Sequence, residues 1–151
     1  MARSTGSATT TINRPVNEVW TAIADITRMG EWSPECTGGR WTDGATGPAV
    51  GATFTGDNEI KVLGRTVKKW STTSAVTIAD PGTCFEFVVE GYTTWRYDFA
   101  PAGAGTQVTE TFSYQSTGFQ GFLYGTVLQR PRAITRGMNR TLGRVKAALE
   151  A

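Results

Sequence analysis

Aromatic and other core-type side chains recur at every second position along four successive segments in the middle of the chain. Trp70, Thr72 and Ser74 share one parity, as do Phe85, Phe87 and Val89. Trp95, Tyr97 and Phe99 follow the same rule, and so do Val108, Glu110, Phe112 and Tyr114. A period of two places each set on one side of a pleated strand. The alternate positions (Lys69, Ser71, Thr73; Glu86; Thr94, Arg96, Asp98; Gln107, Thr109, Thr111) suit the wet side. Only a helix or a second sheet can cover such a face, and the chain offers one long helix, at its C-terminal end. One helix on a broad aromatic sheet leaves space between the layers. That space is the expected functional site.

The flanking pattern supplies the other elements. A first strand is expected over 7–13, and Asn13-Arg14-Pro15 reads as a helix start, with Asn13 as N-cap and Pro15 near the first turn. Val16, Val19, Trp20 and Ile23 fall at helical spacing, and Ile26 and Met29 continue it into a second short helix ended by Gly30. Strands follow over 36–42, 52–60, 66–78, 83–90, 93–100 and 106–115, with Asp80-Pro81-Gly82 as a strong turn signal. Beyond Tyr114, positions 118–129 are apolar but glycine-rich, and Pro131 cannot sit inside an undisturbed helix. From Ala133 the helical period is clean, with Ile134, Met138, Leu142 and Val145 on one face and expected to be buried. About 18 such residues span roughly 27 Å, enough to cross a sheet. The 118–125 segment is expected to gate the space beneath.

Composition narrows the class. The chain has 151 residues, 39% hydrophobic and 19% charged, which suits one globular domain over 1–151. A net charge of +2, with only Lys68-Lys69 adjacent among the dispersed cations, argues against nucleic acid or an anionic membrane as partner. MARSTGS has no apolar stretch and nothing later reaches a spanning length, so no membrane span and a cytoplasmic location are expected. Cys36 and Cys84 form no CxxC motif and read as reduced, partly buried thiols. The chain contains no histidine, which rules out Ser-His-Asp or Cys-His nucleophiles and His-ligated metal sites. No GxGxxG follows a strand and no phosphate-binding GxxxxGK[ST] occurs, so neither metal nor nucleotide cofactor is expected.

The element order, together with INRPVNEVWTAIADITRMGEWSPEC (Ile12 to Cys36), VTIADPGTCFEF (Val76 to Phe87), TTWRYDFAP (Thr93 to Pro101), GTQVTETFSY (Gly105 to Tyr114) and GMNRTLGRVKAALE (Gly137 to Glu150), resembles a known family. It is similar to the START/birch-pollen-allergen superfamily, in the bacterial polyketide cyclase/dehydrase-like branch often labelled SRPBCC. VGATFTGDN (Val50 to Asn58) adds to the resemblance, which covers almost the whole chain. It implies an α+β helix-grip fold: a curved antiparallel sheet of about seven strands around a long C-terminal helix, with a short helix pair after the first strand. It also implies a cavity for a hydrophobic small molecule, in a monomer or weak homodimer.

Strand parity then names the candidate cavity residues: Phe54, Asn58, Trp70, Thr72, Phe85, Phe87, Trp95, Tyr97, Glu110, Phe112 and Tyr114, with Phe122 and Met138 from the covering segment. Gly56 leaves room beside Phe54. Glu110 is read either as an orienting group or proton donor facing the cavity, or as the partner of an arginine such as Arg136 or Arg140. Trp20 and Trp32 are read as packing residues. Three functions remain open on these residues. The first is binding of a lipid-like or polycyclic ligand. The second is a cofactor-free aromatase/cyclase in which Glu110, with Tyr97, Tyr114 or water, moves protons. The third is an interaction protein that docks a partner through the sheet or the 118–125 segment.

Overall fold

The computed structural model describes residues 2–116 and 130–151. Strand β1 (Ala2–Ile12) leads into α1 (Val16–Ala24), a 3-10 turn (Ile26–Arg28) and α2 (Met29–Trp32). Six strands follow: β2 (Cys36–Thr42), β3 (Thr53–Val62), β4 (Arg65–Asp80), β5 (Cys84–Val89), β6 (Thr93–Ala102) and β7 (Gly105–Ser116). The last element is α3 (Arg130–Glu150). The strands form one curved antiparallel sheet in the order β1-β7-β6-β5-β4-β3-β2. The chain is therefore α+β, with the expected helix-grip arrangement.

Register turns the parity pattern into rows across the sheet. One row runs Ala8, Glu110, Tyr97, Phe85 across β1, β7, β6 and β5. The next runs Gly6, Phe112, Trp95, Phe87 and on to Val76 of β4. A third joins Tyr114, Thr93, Val89, Ser74 and Phe54. Edge-on aromatic contacts link the rows: Phe54 to Phe87 at 5.2 Å and Trp41 to Phe54 at 5.6 Å. Such pairs add about 0.5–1.5 kcal/mol each beyond the area they bury.

The helix pair covers one end of this face. Trp20 of α1 stands edge-on to Phe85 and donates from Nε1 to the Cys84 carbonyl at 3.0 Å. Helix α3 packs on β1 and, less, on β7, and touches α2. Gly6 allows this approach, since a Cβ there would lie 2.9 Å from Thr135 Oγ1 and 3.3 Å from Met138 Cε. Met138, Leu142 and Val145 are buried as expected. The side chain of Ile134 lies outside the described residues. Polar ties fix the far end of α3: Asn13 N–H donates to Glu150 Oε2 at 2.7 Å, Arg14 Nε to the Leu149 carbonyl at 2.6 Å, and Lys146 Nζ to the Thr11 carbonyl at 2.6 Å.

The start of β1 and the cap of α1 depart from the sequence reading. β1 begins at Ala2 rather than residue 7, because its ladder to β7 continues to Ala2 opposite Ser116, through residues whose small or polar side chains carry no alternation. The N-cap of α1 is Pro15, with no side-chain cap, while the Asn13 N–H is taken by Glu150. The described part of α3 starts at Arg130, next to Pro131, the residue that could not sit inside an undisturbed helix.

The seat of the helix pair on β2 depends on Gly39. A Cβ there would lie 2.6 Å from the Ile26 carbonyl oxygen, a backbone atom that cannot turn away. Gly39→Ala is expected to destabilise the fold by roughly 1–3 kcal/mol, read as a lower urea midpoint. Gly44→Ala, where added carbon meets open space but φ is +82°, separates strain from steric exclusion.

Candidate functional site

Because α3 lies along the β1 and β7 side, the face of β3, β4 and β5 stays open beneath it among the described residues. A cavity of about 770 Å³ fills this space. Phe54, Trp70, Phe87, Trp95 and Phe112 wall it from the sheet, and Met138 borders it from α3. Ile23, Met29 and Trp32 close its end from the helix pair. Polar side chains, among them Ser74, Thr93, Arg136, Arg140 and Thr141, also border it. Asn58 donates from Nδ2 to the Gly56 carbonyl at 3.3 Å and to Thr72 Oγ1 at 3.5 Å. Tyr97 donates its hydroxyl to Glu110 Oε2 at 2.8 Å. Glu110 is 2% exposed, and its other oxygen, Oε1, is buried with no hydrogen-bond partner among the described residues.

The sequence-derived candidates divide in three. Phe54, Asn58, Trp70, Thr72, Phe87, Trp95, Tyr97, Glu110, Phe112 and Met138 are brought together around the cavity. Phe85 and Tyr114 share the inward parity but do not border it. Phe85 is sealed beneath Trp20, and Tyr114 packs edge-on against Tyr92 at 5.6 Å. Phe122 and the whole 118–125 segment lie outside the described residues. Sequence reasoning missed Ile23, Met29, Arg136 and Arg140 as cavity neighbours. The first two had shown themselves only as a helix stripe; the two arginines, one turn apart on α3, had been considered only as partners of Glu110. No ion pair to Glu110 occurs among the described residues, so its charge is not balanced by them. Nor do three or more His, Cys, Asp or Glu side chains converge there.

The family model for polyketide cyclase / dehydrase and lipid transport proteins matches residues 3–150. The chain belongs to this family. The Polyketide_cyc-like protein Cgl2372 of Corynebacterium glutamicum is 34% identical over 99% of this chain and 93% of its own, with a TM-score of 0.67. KanY (ms6282) is 18% identical with all of both chains covered and a TM-score of 0.75. DynU16, from the dynemicin biosynthetic locus, is 15% identical over 98% of this chain but 48% of its own, with a TM-score of 0.65. The last two share the fold alone. No functionally curated protein matches the chain. No helix among the described residues is long and apolar enough to cross a membrane.

In this polyketide cyclase/dehydrase family member the cavity's chemistry centres on one proton. Burial pushes the Glu110 carboxyl up to about 8, and the Tyr97 hydrogen bond pulls it only partly back. Burial, with the Glu110 charge behind it, holds the Tyr97 phenol well above its usual range, so Tyr97 remains a donor. Near neutral pH Glu110 is therefore largely a neutral acid. Oε2 is engaged by Tyr97, which leaves Oε1 as the oxygen without a partner among the described residues. The two thiols are also held protonated: burial raises Cys36, and raises Cys84 to about 11.

This proton leaves a thermodynamic trace. An unfolded glutamate ionises near about 4.3, whereas the folded one holds its proton to about 8. Between those values the folded state binds more protons, so stability falls as pH rises, by about 1.4 kcal/mol per pH unit. It is insensitive to this group below the lower value and above the upper one. Glu110→Gln keeps shape and neutrality, so urea unfolding should show wild type losing stability relative to the variant across that window. Parallel pH profiles for the two proteins would mean that Glu110 ionises normally.

Proposed function

We propose that the chain is a single-domain binder of a hydrophobic or polycyclic small molecule, lipid-like or polyketide-like, held in the cavity between sheet and α3. The observation that carries this reading is an aromatic cavity of about 770 Å³ with a buried carboxyl on its wall. That volume lies within the range of roughly 300–1,000 Å³ usual for small-molecule sites, which are mostly apolar with a few orienting polar groups. Glu110 supplies such a group. Protonated on Oε1, it donates to a hydrogen-bond acceptor, so the ligand carries a carbonyl, ether or hydroxyl oxygen at its inner end. Asn58 and Thr72 engage each other across β3 and β4 and offer a second polar point further along the wall.

A second reading, cofactor-free cyclisation of a poly-β-keto chain, is favoured by the same carboxyl, whose affinity near 8 suits proton transfer at neutral pH. In that reaction an enol carbon attacks a carbonyl carbon and the carbonyl π electrons move onto its oxygen. That oxygen takes the Oε1 proton, and the resulting carboxylate accepts the enol proton. Tyr97, as donor to Oε2, steadies the carboxylate between the two transfers.

An apolar carbonyl-bearing fluorophore distinguishes the cases. Wild-type protein should bind it with quenching of tryptophan emission, because Trp70 and Trp95 wall the cavity. Affinity should fall as pH rises through about 8. Glu110→Gln should bind with no such fall, and Glu110→Leu should lose about 1–3 kcal/mol. Cyclising activity on a poly-β-keto substrate that collapses in Glu110→Gln while binding persists would establish the second reading. No probe binding by wild-type protein would reject both.

A further inference from the structure

We propose that the hairpin joining β3 to β4 is a membrane-docking element, which seats the cavity's border on an anionic lipid surface. Every residue from Lys61 to Lys69 is exposed. Among them are large apolar side chains with no cover: Leu63 is 99% exposed, Val67 60% and Val62 53%. The tip is built at a conformational cost. Leu63 and Gly64 take φ of 52° and 79°, the left-handed pair for which asparagine followed by glycine is the favoured sequence. A leucine there is strained and gains no packing within the described fold, so its apolar surface faces outward for something else.

The charge around that tip identifies the partner. Lys61, Arg65, Lys68 and Lys69 surround it against one nearby carboxylate, Glu59, which pairs with Lys61 at 3.2 Å. The whole chain carries only +2, a balance that hides the local excess of cations at this hairpin, and the longer basic run from Arg130 to Lys146 lies apart from it on α3. Apolar residues ringed by lysine and arginine match a bilayer with anionic headgroups, into which the apolar tip inserts while the cations stay at the surface. A nucleic acid offers nothing to Leu63 or Val62, and a second copy of the hairpin would set the same cations against each other.

The position of the hairpin gives the contact a use. Ile60 and Lys61 at the end of β3, and Trp70 on β4, border the cavity, and Lys68 Nζ lies 5.2 Å from the Trp70 ring centre. The strands that carry the apolar tip are thus the strands that wall the cavity. An apolar molecule leaving the bilayer beside this hairpin meets that wall.

Co-sedimentation with phosphatidylcholine vesicles, with and without phosphatidylserine, tests the idea without any cavity ligand. Wild-type protein should partition onto the phosphatidylserine vesicles at low salt, more weakly onto phosphatidylcholine alone, and be released by added salt. Leu63→Asn suits the turn better than leucine, so the fold is kept, yet its partitioning should drop roughly tenfold. The double variant Arg65→Glu, Lys69→Glu should lose at least as much. Both should still bind the fluorophore, which separates this surface from the cavity reading. Wild-type protein left in the supernatant, or folded Leu63→Asn binding like wild type, would overturn the proposal. Hairpin-dependent self-association, or preference for duplex DNA over vesicles, would overturn it equally.

Discussion

Tyr97 and Glu110 stand opposite each other on β6 and β7, and the phenol donates to one carboxyl oxygen at 2.8 Å inside an aromatic face. A charge at that position would have no compensating cation among the described residues, and burying an unpaired carboxylate costs several kcal/mol. The carboxyl therefore keeps its proton, and the phenol engages one of its two oxygens. One hydrogen bond thus sets a buried polar pair among the aromatic rings of the wall. Replacing Glu110 by a hydrocarbon of similar size would fill the row between Ala8 and Tyr97 more cheaply.

The rest of the fold supplies walls around that pair. The row containing Glu110 and Tyr97 ends at Phe85, which α1 covers through Trp20. The adjacent row of Phe112, Trp95 and Phe87 has no such helix above its centre among the described residues, and Gly6 lets α3 sit close on β1. At the opposite side of the sheet the β3–β4 strands run past the cavity into an exposed apolar and basic tip. The molecule therefore has a buried acid at one end of its aromatic wall and an exposed apolar, basic tip at the other.

Much of this was legible in the sequence because alternation along a strand is a strict signal. Parity alone put Glu110 between Val108 and Phe112 on the inner face and gave Tyr97 and Trp95 the same inward parity. What parity cannot report is which inward positions lie under a helix. Phe85 and Phe87 look alike along β5, and only the seat of Trp20 makes one core and the other cavity wall. Backbone pairing was equally silent: Ala2 to Gly6 show no alternation, yet they extend β1 along β7. Asn13 carried a helix-cap signature, but its N–H serves Glu150, a residue far away in sequence. The hairpin was obscured by averaging, since a small net charge says nothing about where the cations gather.

The protonation state of Glu110 is the point on which the account turns. Carbon-13 NMR of the side-chain carboxyl carbons, with Glu110→Gln used to assign the signal, reads it directly. The account predicts a resonance that stays at the position of a neutral acid through pH 7, titrates at about 8, and shifts when an apolar carbonyl ligand is added. A Glu110 signal that titrates in the ordinary carboxylate range and ignores the ligand would contradict it.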